Sequence, residues 1–269
     1  MNIFDSSILG IVQGLTEFIP VSSSGHLIIA HQVLGDSLAG SLAFDAIVQF
    51  ATILAVGVYF SKDLWRLVVT FCKIVTCREV IREDKVLLYA IIFGTIPAVI
   101  LGLLLENAME TKFRSVVFVA GTLILGSILM AFAEWFARRY SEVQSLTLKK
   151  GWIIGCFQAL ALLPGVSRSG ATISGGLIYG LGREAATRFS FLLAFPIILG
   201  SGLKKIIDVA QDGGFVGAGG VDIMIGSIVA FVVGLGAIHF LIKYLRHHSL
   251  YPFIWYRLVV AVLLLVFFA

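Results

Sequence analysis

Long hydrophobic runs alternate with short polar breaks along the whole chain. Two hydrophobic stretches, around 6–33 and 152–180, are interrupted by Pro, Gly and Ser, and neither half of either stretch could cross a membrane. Irregular backbone at membrane depth must be satisfied by protein or water, so we interpret both as re-entrant helical hairpins. Six other runs approach the roughly 20 residues of a membrane-crossing helix, near 41–60, 86–105, 115–136, 188–207, 221–244 and 251–269.

An internal repeat relates the two interrupted stretches. A shift of 145 residues brings Gly10 onto Gly155 and aligns further identical pairs, which begin at Gln13, Leu15, Val21, Ser22, Ser24, Gly25 and Ile28. The match resumes downstream of Phe44. We therefore divide the chain into one repeat over about 6–136 and a second over about 152–269.

The order of the segments orients the two repeats. Each interrupted stretch is followed by three continuous runs, and because three is odd, the second repeat should lie upside down relative to the first. The two hairpins should then enter from opposite sides and meet at their tips, where inverted repeats bind substrates. The sequence predicts a single membrane domain over 1–269, all-α and polytopic, with six transmembrane helices and two re-entrant hairpins in an inverted-topology repeat.

Composition supports a membrane environment. Hydrophobic residues make up 59% of the 269 residues, charged residues only 13%, and the mean hydropathy is +1.00. Ordinary globular chains carry about 25% charge. The basic pI of about 9.0 does not indicate nucleic-acid binding, because loop Lys and Arg residues set topology in membrane proteins.

The basic residues fall mainly on one side of the predicted topology. They lie in the loop 61–85 and in the segment 137–150, and Arg183 and Arg246 fall on the same side. In contrast, 1–40 and 208–220 contain no Lys or Arg, and the loop 106–114 carries only Lys112 and Arg114. By the positive-inside rule the basic side is cytoplasmic. The mouth of the first hairpin should then face outward.

The first hairpin has polar residues at its tip. Gln13 and Glu17 are four residues apart and share one helix face. Pro20 breaks the helix, and Ser22, Ser23 and Ser24 provide caps for a half-helix that begins near Gly25 and His26. The free amides at such a helix N-terminus favour an anion.

The second hairpin repeats this arrangement and adds a positive charge. Pro164-Gly165 breaks the helix, Ser167 and Ser169 can cap the next one, and Gly170 allows close approach. Arg168 supplies a guanidinium suited to bidentate contact with phosphate, and Thr172 follows one turn later. A carboxylate, a guanidinium, an imidazole and several hydroxyls therefore predict a site for a phosphate or diphosphate on an apolar tail, with a divalent cation.

Each of these residues also has a structural interpretation. Glu17 and Arg168 could form an ion pair that bridges the hairpins, and the serines could act only as caps. Gln13 and Gln158 could hold helices together through their amides. The aromatic cluster Tyr251, Phe253, Trp255 and Tyr256 is most simply an interfacial belt.

Two motifs resemble one known family. The run from Gln13 through Glu17 and Ser23 to His26 resembles the first signature of the bacterial undecaprenyl-diphosphate phosphatases, the bacitracin-resistance family. The run from Pro164 to Thr172 resembles their second signature. The resemblance implies removal of the terminal phosphate from undecaprenyl diphosphate at the outer face of the bacterial plasma (inner) membrane, which recycles a lipid carrier of cell-wall synthesis.

The resemblance also implies roles for individual residues. Glu17, Ser23, His26 and Arg168 are the expected catalytic residues, and Glu17 is the expected ligand of Mg²⁺ or Ca²⁺, with Gln13 as a second ligand where the family has Glu or Gln. The expected phosphate-binding residues are Ser22, Ser24, Gly25, Ser167, Ser169, Gly170 and Thr172. The partners are the polyprenyl lipid and the membrane, and a homodimer is compatible with the sequence.

The identity of the nucleophile stays open at this stage. Ser23 could attack phosphorus with His26 as its general base, or His26 or a water molecule could attack directly. A different class of function is also open, since broken helices in an inverted repeat are typical of secondary transporters. On that alternative the chain would move a polyprenyl phosphate across the membrane.

Overall fold

The computed structural model describes residues 2–35, 38–111, 115–140, 144–211 and 220–268. Within these ranges the secondary structure is entirely helical. The helices are α1 (Ile3–Thr16), α2 (Ser23–Leu34), α3 (Leu38–Tyr59), α4 (Ser61–Val75), α5 (Arg82–Thr111), α6 (Val116–Tyr140), α7 (Leu148–Leu160), α8 (Arg168–Ile178), α9 (Arg183–Gln211), α10 (Gly220–Leu245) and α11 (Tyr251–Phe268).

Four helices are long and apolar enough to cross a membrane: α5, α6, α9 and α10. The pair α3 and α4 makes a fifth candidate only if it counts as one span, and it is bent by 78°. The predicted sixth span, 251–269, appears as the shorter helix α11. The all-helical membrane architecture is thus as predicted, whereas the count of six spans is not confirmed.

The interpretation of 61–85 as a connecting loop is wrong for most of its length, because α4 covers the first 15 residues and α5 begins at Arg82. Residues 61–75 form α4, a helix too short to span a membrane but with apolar side chains at helical spacing. A search for continuous apolar runs missed this helix because its charged residues interrupt the run. Residues 106–111 of the predicted loop 106–114 belong to α5, whereas Lys112 and Arg114, and most of 208–220, lie outside the described residues.

Each interrupted stretch forms two short helices joined by a turn. The first stretch comprises α1, a turn over 17–22 and α2; the second comprises α7, a turn over 161–167 and α8. Both turns contain the break that the sequence predicts, because Pro20 and Pro164 cannot continue a helix.

The first helix of each repeat packs against a helix of the other repeat. A Cβ atom added to Gly10 of α1 would lie 2.5 Å from the carbonyl oxygen of Gly226 in α10. Likewise, a Cβ on Gly155 of α7 would overlap the backbone of Gly94 in α5. Glycine at these positions lets the backbones approach closely, which is the usual basis of tight helix packing in membranes. Helices of the predicted first repeat, 6–136, therefore pack directly against helices of the predicted second repeat, 152–269.

The main hydrophobic core holds the first turn in place. Phe18, in that turn, is fully buried and packs edge-on against Phe191 of α9, with ring centroids 5.5 Å apart. Phe60 approaches the same Phe191 ring at 6.2 Å. This packing fixes the turn between α1 and α2 against a long helix of the second repeat.

Candidate active site

The two turns share an unusual backbone geometry. Ser22 precedes α2 with φ 79° and ψ 99°, and Ser167 precedes α8 with φ 73° and ψ 116°. Positive φ in a residue with a Cβ costs about 1–3 kcal/mol and persists only where surrounding structure enforces it. Ser22 and Ser167 are equivalent in the repeat alignment, so the positive φ is a feature that the two turns share.

In both turns the strained serine caps the following helix. The Ser22 hydroxyl accepts from the amide of Gly25 at 3.5 Å, and the Ser167 hydroxyl accepts from that of Gly170 at 3.2 Å. The caps predicted from the sequence are therefore present. Gly25 and Gly170 are both buried, as close packing at the start of each half-helix requires.

A second serine, in the first turn of each following helix, contacts the capping serine. The hydroxyl oxygens of Ser22 and Ser24 lie 3.2 Å apart, and those of Ser167 and Ser169 lie 3.3 Å apart. Ser24 also accepts a hydrogen bond from the amide of Gly165 at 3.3 Å. The tips of the two hairpins are consequently in direct contact.

Glu17 is the centre of the polar cluster. This residue is 6% exposed and accepts hydrogen bonds from three side chains. Gln13 Nε2 and Ser23 Oγ donate to Oε2 at 3.0 and 2.9 Å, and Arg168 Nη2 donates to Oε1 at 3.1 Å. The structure thus brings together four of the predicted residues from both hairpins.

Two polar atoms in this cluster have no hydrogen-bond partner among the described residues. One is the acceptor Gln13 Oε1 and the other is the donor Arg168 Nη1, and both atoms are buried. An unsatisfied buried polar group costs about 1–3 kcal/mol, and more for a charged group. Their chemistry suits a ligand with opposite requirements at its two ends: a cation for the amide oxygen and an anion for the guanidinium.

His26 lies near the cluster but makes different contacts. Its Nδ1 is 2.8 Å from the carbonyl oxygen of Ser22, and its Nε2 is 2.8 Å from the hydroxyl of Tyr256. A carbonyl only accepts, so Nδ1 carries the proton and, in the neutral ring, Nε2 accepts from Tyr256. The hydrogen bond of Ser23 goes to Glu17 rather than to His26, and the structure therefore gives no support to a Ser23–His26 pair.

Tyr256 and Arg257 were missed as site residues. The aromatic cluster of 251–256 was interpreted as an interfacial belt, yet Tyr256 contacts His26 directly, and their rings are nearly parallel with centroids 5.5 Å apart. Arg257 could have been found, because a charged residue inside an apolar run is functional by default in membrane proteins.

Arg257 connects the two turns. It is fully buried, and its guanidinium donates to the carbonyl oxygens of Pro20 at 3.3 Å and Gly165 at 2.9 Å, one in each turn. Further bonds reach Leu123 O and Ser127 Oγ of α6. All these partners are neutral, so the charge of Arg257 is not cancelled by an ion pair with any described residue.

Thr172 does not point toward the cluster. Its hydroxyl donates to the carbonyl oxygen of Arg168 at 2.8 Å and lies 2.5 Å from the Ser190 hydroxyl of α9. The residue is fully buried. Four residues beyond Arg168 on the helix, it faces α9, so its geometry favours support of Arg168 over the predicted contact with phosphate.

The residues present fit a cation only in part. Within the described residues there is no group of three or more His, Cys, Asp and Glu residues that could hold a metal. The available donors are the Glu17 carboxylate, the free Gln13 amide oxygen and hydroxyls. Mg²⁺ is commonly bound by one or two carboxylates together with substrate phosphates and water, and this donor set suits a cation that arrives with a diphosphate.

Together these features define a class of protein: an all-helical, membrane-type protein with a buried polar site, built where two helical hairpins meet and carrying a Glu–Arg pair with capped helix N-termini. Residues 6–263 match the model of one family, the bacitracin resistance protein BacA. The chain belongs to this family.

Curated relatives agree with this assignment. The undecaprenyl-diphosphatase of Mycolicibacterium smegmatis is 45% identical over 96% of this chain and 94% of its own length. That of Thermobifida fusca is 41% identical over 98% and 90%, and that of Idiomarina loihiensis is 39% identical over the full length of both chains. The resemblance found in the two motifs therefore extends over the whole chain.

Proposed function

We propose that this chain is an undecaprenyl-diphosphate phosphatase, which hydrolyses the lipid diphosphate to the lipid monophosphate and inorganic phosphate. Family membership and the names of the relatives support the reaction. At the site, the main support is the Glu17–Arg168 pair. Arg168 Nη2 donates to Glu17, and its other terminal nitrogen, Nη1, has no partner among the described residues. A buried guanidinium nitrogen without a partner is costly, and a phosphate oxygen would satisfy it.

The distal phosphate binds at the tips of the two hairpins. Arg168 offers its free nitrogen to one oxygen, and the N-termini of α2 and α8 provide amides and partial positive charge from the helix dipole. The exposed Ser24 hydroxyl stands where the two turns meet. The uncancelled charge of Arg257 behind both turns adds to the same positive field. Such fixed positive groups are the main source of catalysis in phosphoryl transfer.

Ser23 is the nucleophile, with Glu17 as its general base. The Ser23 hydroxyl already donates to Glu17 at 2.9 Å. On attack, the Ser23 oxygen bonds to the distal phosphorus, its proton passes to Glu17, and the bond to the bridging oxygen breaks with release of the lipid monophosphate. After that proton has passed to solvent, water attacks the phosphorus of the phosphoserine and gives a proton to Glu17. The bond between phosphorus and the Ser23 oxygen breaks, Glu17 returns the proton to that oxygen, and inorganic phosphate leaves.

A divalent cation, Mg²⁺ or Ca²⁺, binds with the substrate. Glu17 and Gln13 are the residues that would hold it, because Gln13 Oε1 is a buried oxygen without a partner among the described residues. The cation would supply charge neutralisation of the diphosphate. Arg168 pairs with the same carboxylate, with Nη2 3.1 Å from Glu17 Oε1.

The two repeats have inverted topology, and the site faces outward across the bacterial plasma membrane. Support comes from the odd number of hydrophobic runs per repeat, from the packing of α1 on α10 and of α7 on α5, and from the concentration of Lys and Arg on one side.

Native cysteines offer a test of orientation: Cys72 and Cys77 are exposed, near the end of α4 and just beyond it. In a Cys156→Ser background, an impermeant thiol reagent should label Asn2→Cys on intact cells but neither native cysteine. The reverse pattern would contradict an outward-facing site.

The direct test is phosphate release by the purified protein. With undecaprenyl diphosphate and Mg²⁺ or Ca²⁺, the wild type should release one phosphate per lipid, and Glu17→Gln should release phosphate much more slowly while keeping its thermal unfolding transition in detergent. Lipid binding without phosphate release by the wild type would contradict the proposal and favour a transporter.

A further inference from the structure

The helix α4 carries three different surfaces along its length. At 100° per residue, Leu67, Thr70 and Ile74 share the side that packs on the protein. A second side is apolar and exposed: Trp65 is 69% exposed, Val68 51% and Val75 65%. A helix that only bridged two spans in water would have no reason for this second apolar side.

The third side of α4 is basic. Lys62, Arg66 and Lys73 fall within about 40° of one another on a helical wheel, and all three are exposed. Arg66 is held by Asp84 of α5 at 2.5 Å, whereas neither lysine forms an ion pair with another described residue. The free positive charges therefore lie next to the exposed apolar side rather than opposite it.

The direction of α4 fits this division. α4 turns by 78° from the axis of α3, so if α3 crosses a bilayer, α4 runs nearly parallel to its surface. In that orientation the apolar side reaches the acyl chains and the adjacent lysines reach the headgroups. Helices with this pattern lie in the membrane interface, and their basic residues are attracted to anionic lipids.

We propose that α4 is a binding surface for anionic phospholipids, with Trp65, Val68 and Val75 in the interface and Lys62 and Lys73 on the headgroup phosphates. The binding partner is the surface of the bilayer. We infer this from the charge complementarity between the two lysines and anionic headgroups, and from the position of the lysines beside the exposed apolar side. This surface is separate from the hairpin tips and does not depend on the proposed hydrolysis.

Fluorescence of Trp65 in lipid nanodiscs tests this proposal. Trp135, Trp152 and Trp255 are replaced by Phe, so that Trp65 alone reports, and quenching is compared for brominated phosphatidylglycerol and brominated phosphatidylcholine. Both lipids should quench Trp65, with a preference for the anionic one. Replacing Lys62 and Lys73 by Gln should reduce that preference by about fivefold for each lysine.

A matched control distinguishes the effect of the two lysines on α4 from the effect of the total charge of the protein. Lys149→Gln with Lys243→Gln removes the same charge at exposed positions outside α4 and should leave the preference unchanged. Equal quenching by the two lipids in the starting protein would overturn the lipid selectivity. A Trp65 that neither lipid quenches would show that α4 faces water or another protein, and would overturn the proposal entirely.

Discussion

The two turns have the same backbone and different chemistry. Each contains a serine at positive φ that caps the next helix, and each has a second serine beside it. Yet Glu17 of the first turn aligns with Leu162 in the second, and Arg168, the first residue of α8, aligns with Ser23, the first residue of α2. The two hairpins thus have equivalent helix N-termini. They differ in side chains, because the first contributes the carboxylate of Glu17 and the hydroxyl of Ser23 and the second contributes the guanidinium of Arg168. The proposed active site therefore depends on the contact between unlike hairpins.

The largest expected effect comes from breaking the contact between those hairpins. Arg168→Lys keeps the charge but loses the planar group that can hold Glu17 and a phosphate together. Phosphate release should fall by about 10²–10³-fold, as for removal of a transition-state donor elsewhere. Arg188→Lys, which changes an arginine paired with Asp63, is the control and should keep near-normal turnover. A normal rate for Arg168→Lys would reduce Arg168 to a pairing charge.

Arg257 tests whether the spacing of the two turns matters independently of their side chains. Arg257→Lys retains a buried charge but cannot reach both Pro20 O and Gly165 O. A misplacement of about 1 Å can cost about 100-fold in rate, and we expect a loss of this size in kcat with a smaller change in KM. Arg246→Lys, at an exposed pair with Glu184, is the matched control. An unchanged kcat for Arg257→Lys would mean that the turns hold their spacing without it.

Tyr256 should have a smaller effect, because its hydroxyl contacts His26 and not the Glu17–Arg168 pair. Tyr256→Phe removes one hydrogen bond to His26 Nε2, a contribution of about 1 kcal/mol or roughly fivefold in kcat/KM. The neighbouring Trp255 is 66% exposed, and Trp255→Phe should have no measurable effect on kcat/KM. If both substitutions reduce activity equally, the aromatic belt explains Tyr256 and the contact with His26 is incidental.

The smallest effect concerns the feature that the two turns share. Ser22→Gly and Ser167→Gly each lose a cap but relieve the strain of positive φ, so their free energies of unfolding should stay within about 1 kcal/mol of wild type. Ser22→Ala and Ser167→Ala keep the strain and lose the cap, and each should cost about 1 kcal/mol more than the glycine variant. Thermal unfolding in detergent measures this. Opposite trends in the two turns would contradict their structural equivalence.

Much of the fold could be predicted because the membrane restricts the choices. Interrupted apolar runs can only be broken helices at that depth, and the positions of Pro20 and Pro164 locate both turns. Helix α4 was missed because its apolar residues are arranged by helical spacing rather than in one run. The packing of α1 on α10 through Gly10 depends on contacts distant in sequence, and periodicity carries no information on them.

The candidate site shows a similar division. The repeat alignment and the motifs identified Glu17 and Arg168, because charged residues at membrane depth require a reason. The partner of Ser23 could not be predicted, since both His26 and Glu17 lie within a few residues and only the direction of α2 decides between them. Arg257 contacts the site from about 90 residues beyond Arg168, and only the tertiary fold brings it there.

The most direct test of the account is a pair of double-mutant cycles on Ser23. We measure kcat/KM for phosphate release by Ser23→Ala, Glu17→Gln and His26→Ala, and by the two double variants that include Ser23→Ala. Residues that act as one unit are not additive, so Ser23→Ala with Glu17→Gln should be little worse than the poorer single variant. Ser23→Ala with His26→Ala should show the product of the two losses. Independent losses for Ser23 and Glu17, with a non-additive Ser23 and His26, would contradict the nucleophile and base proposed here.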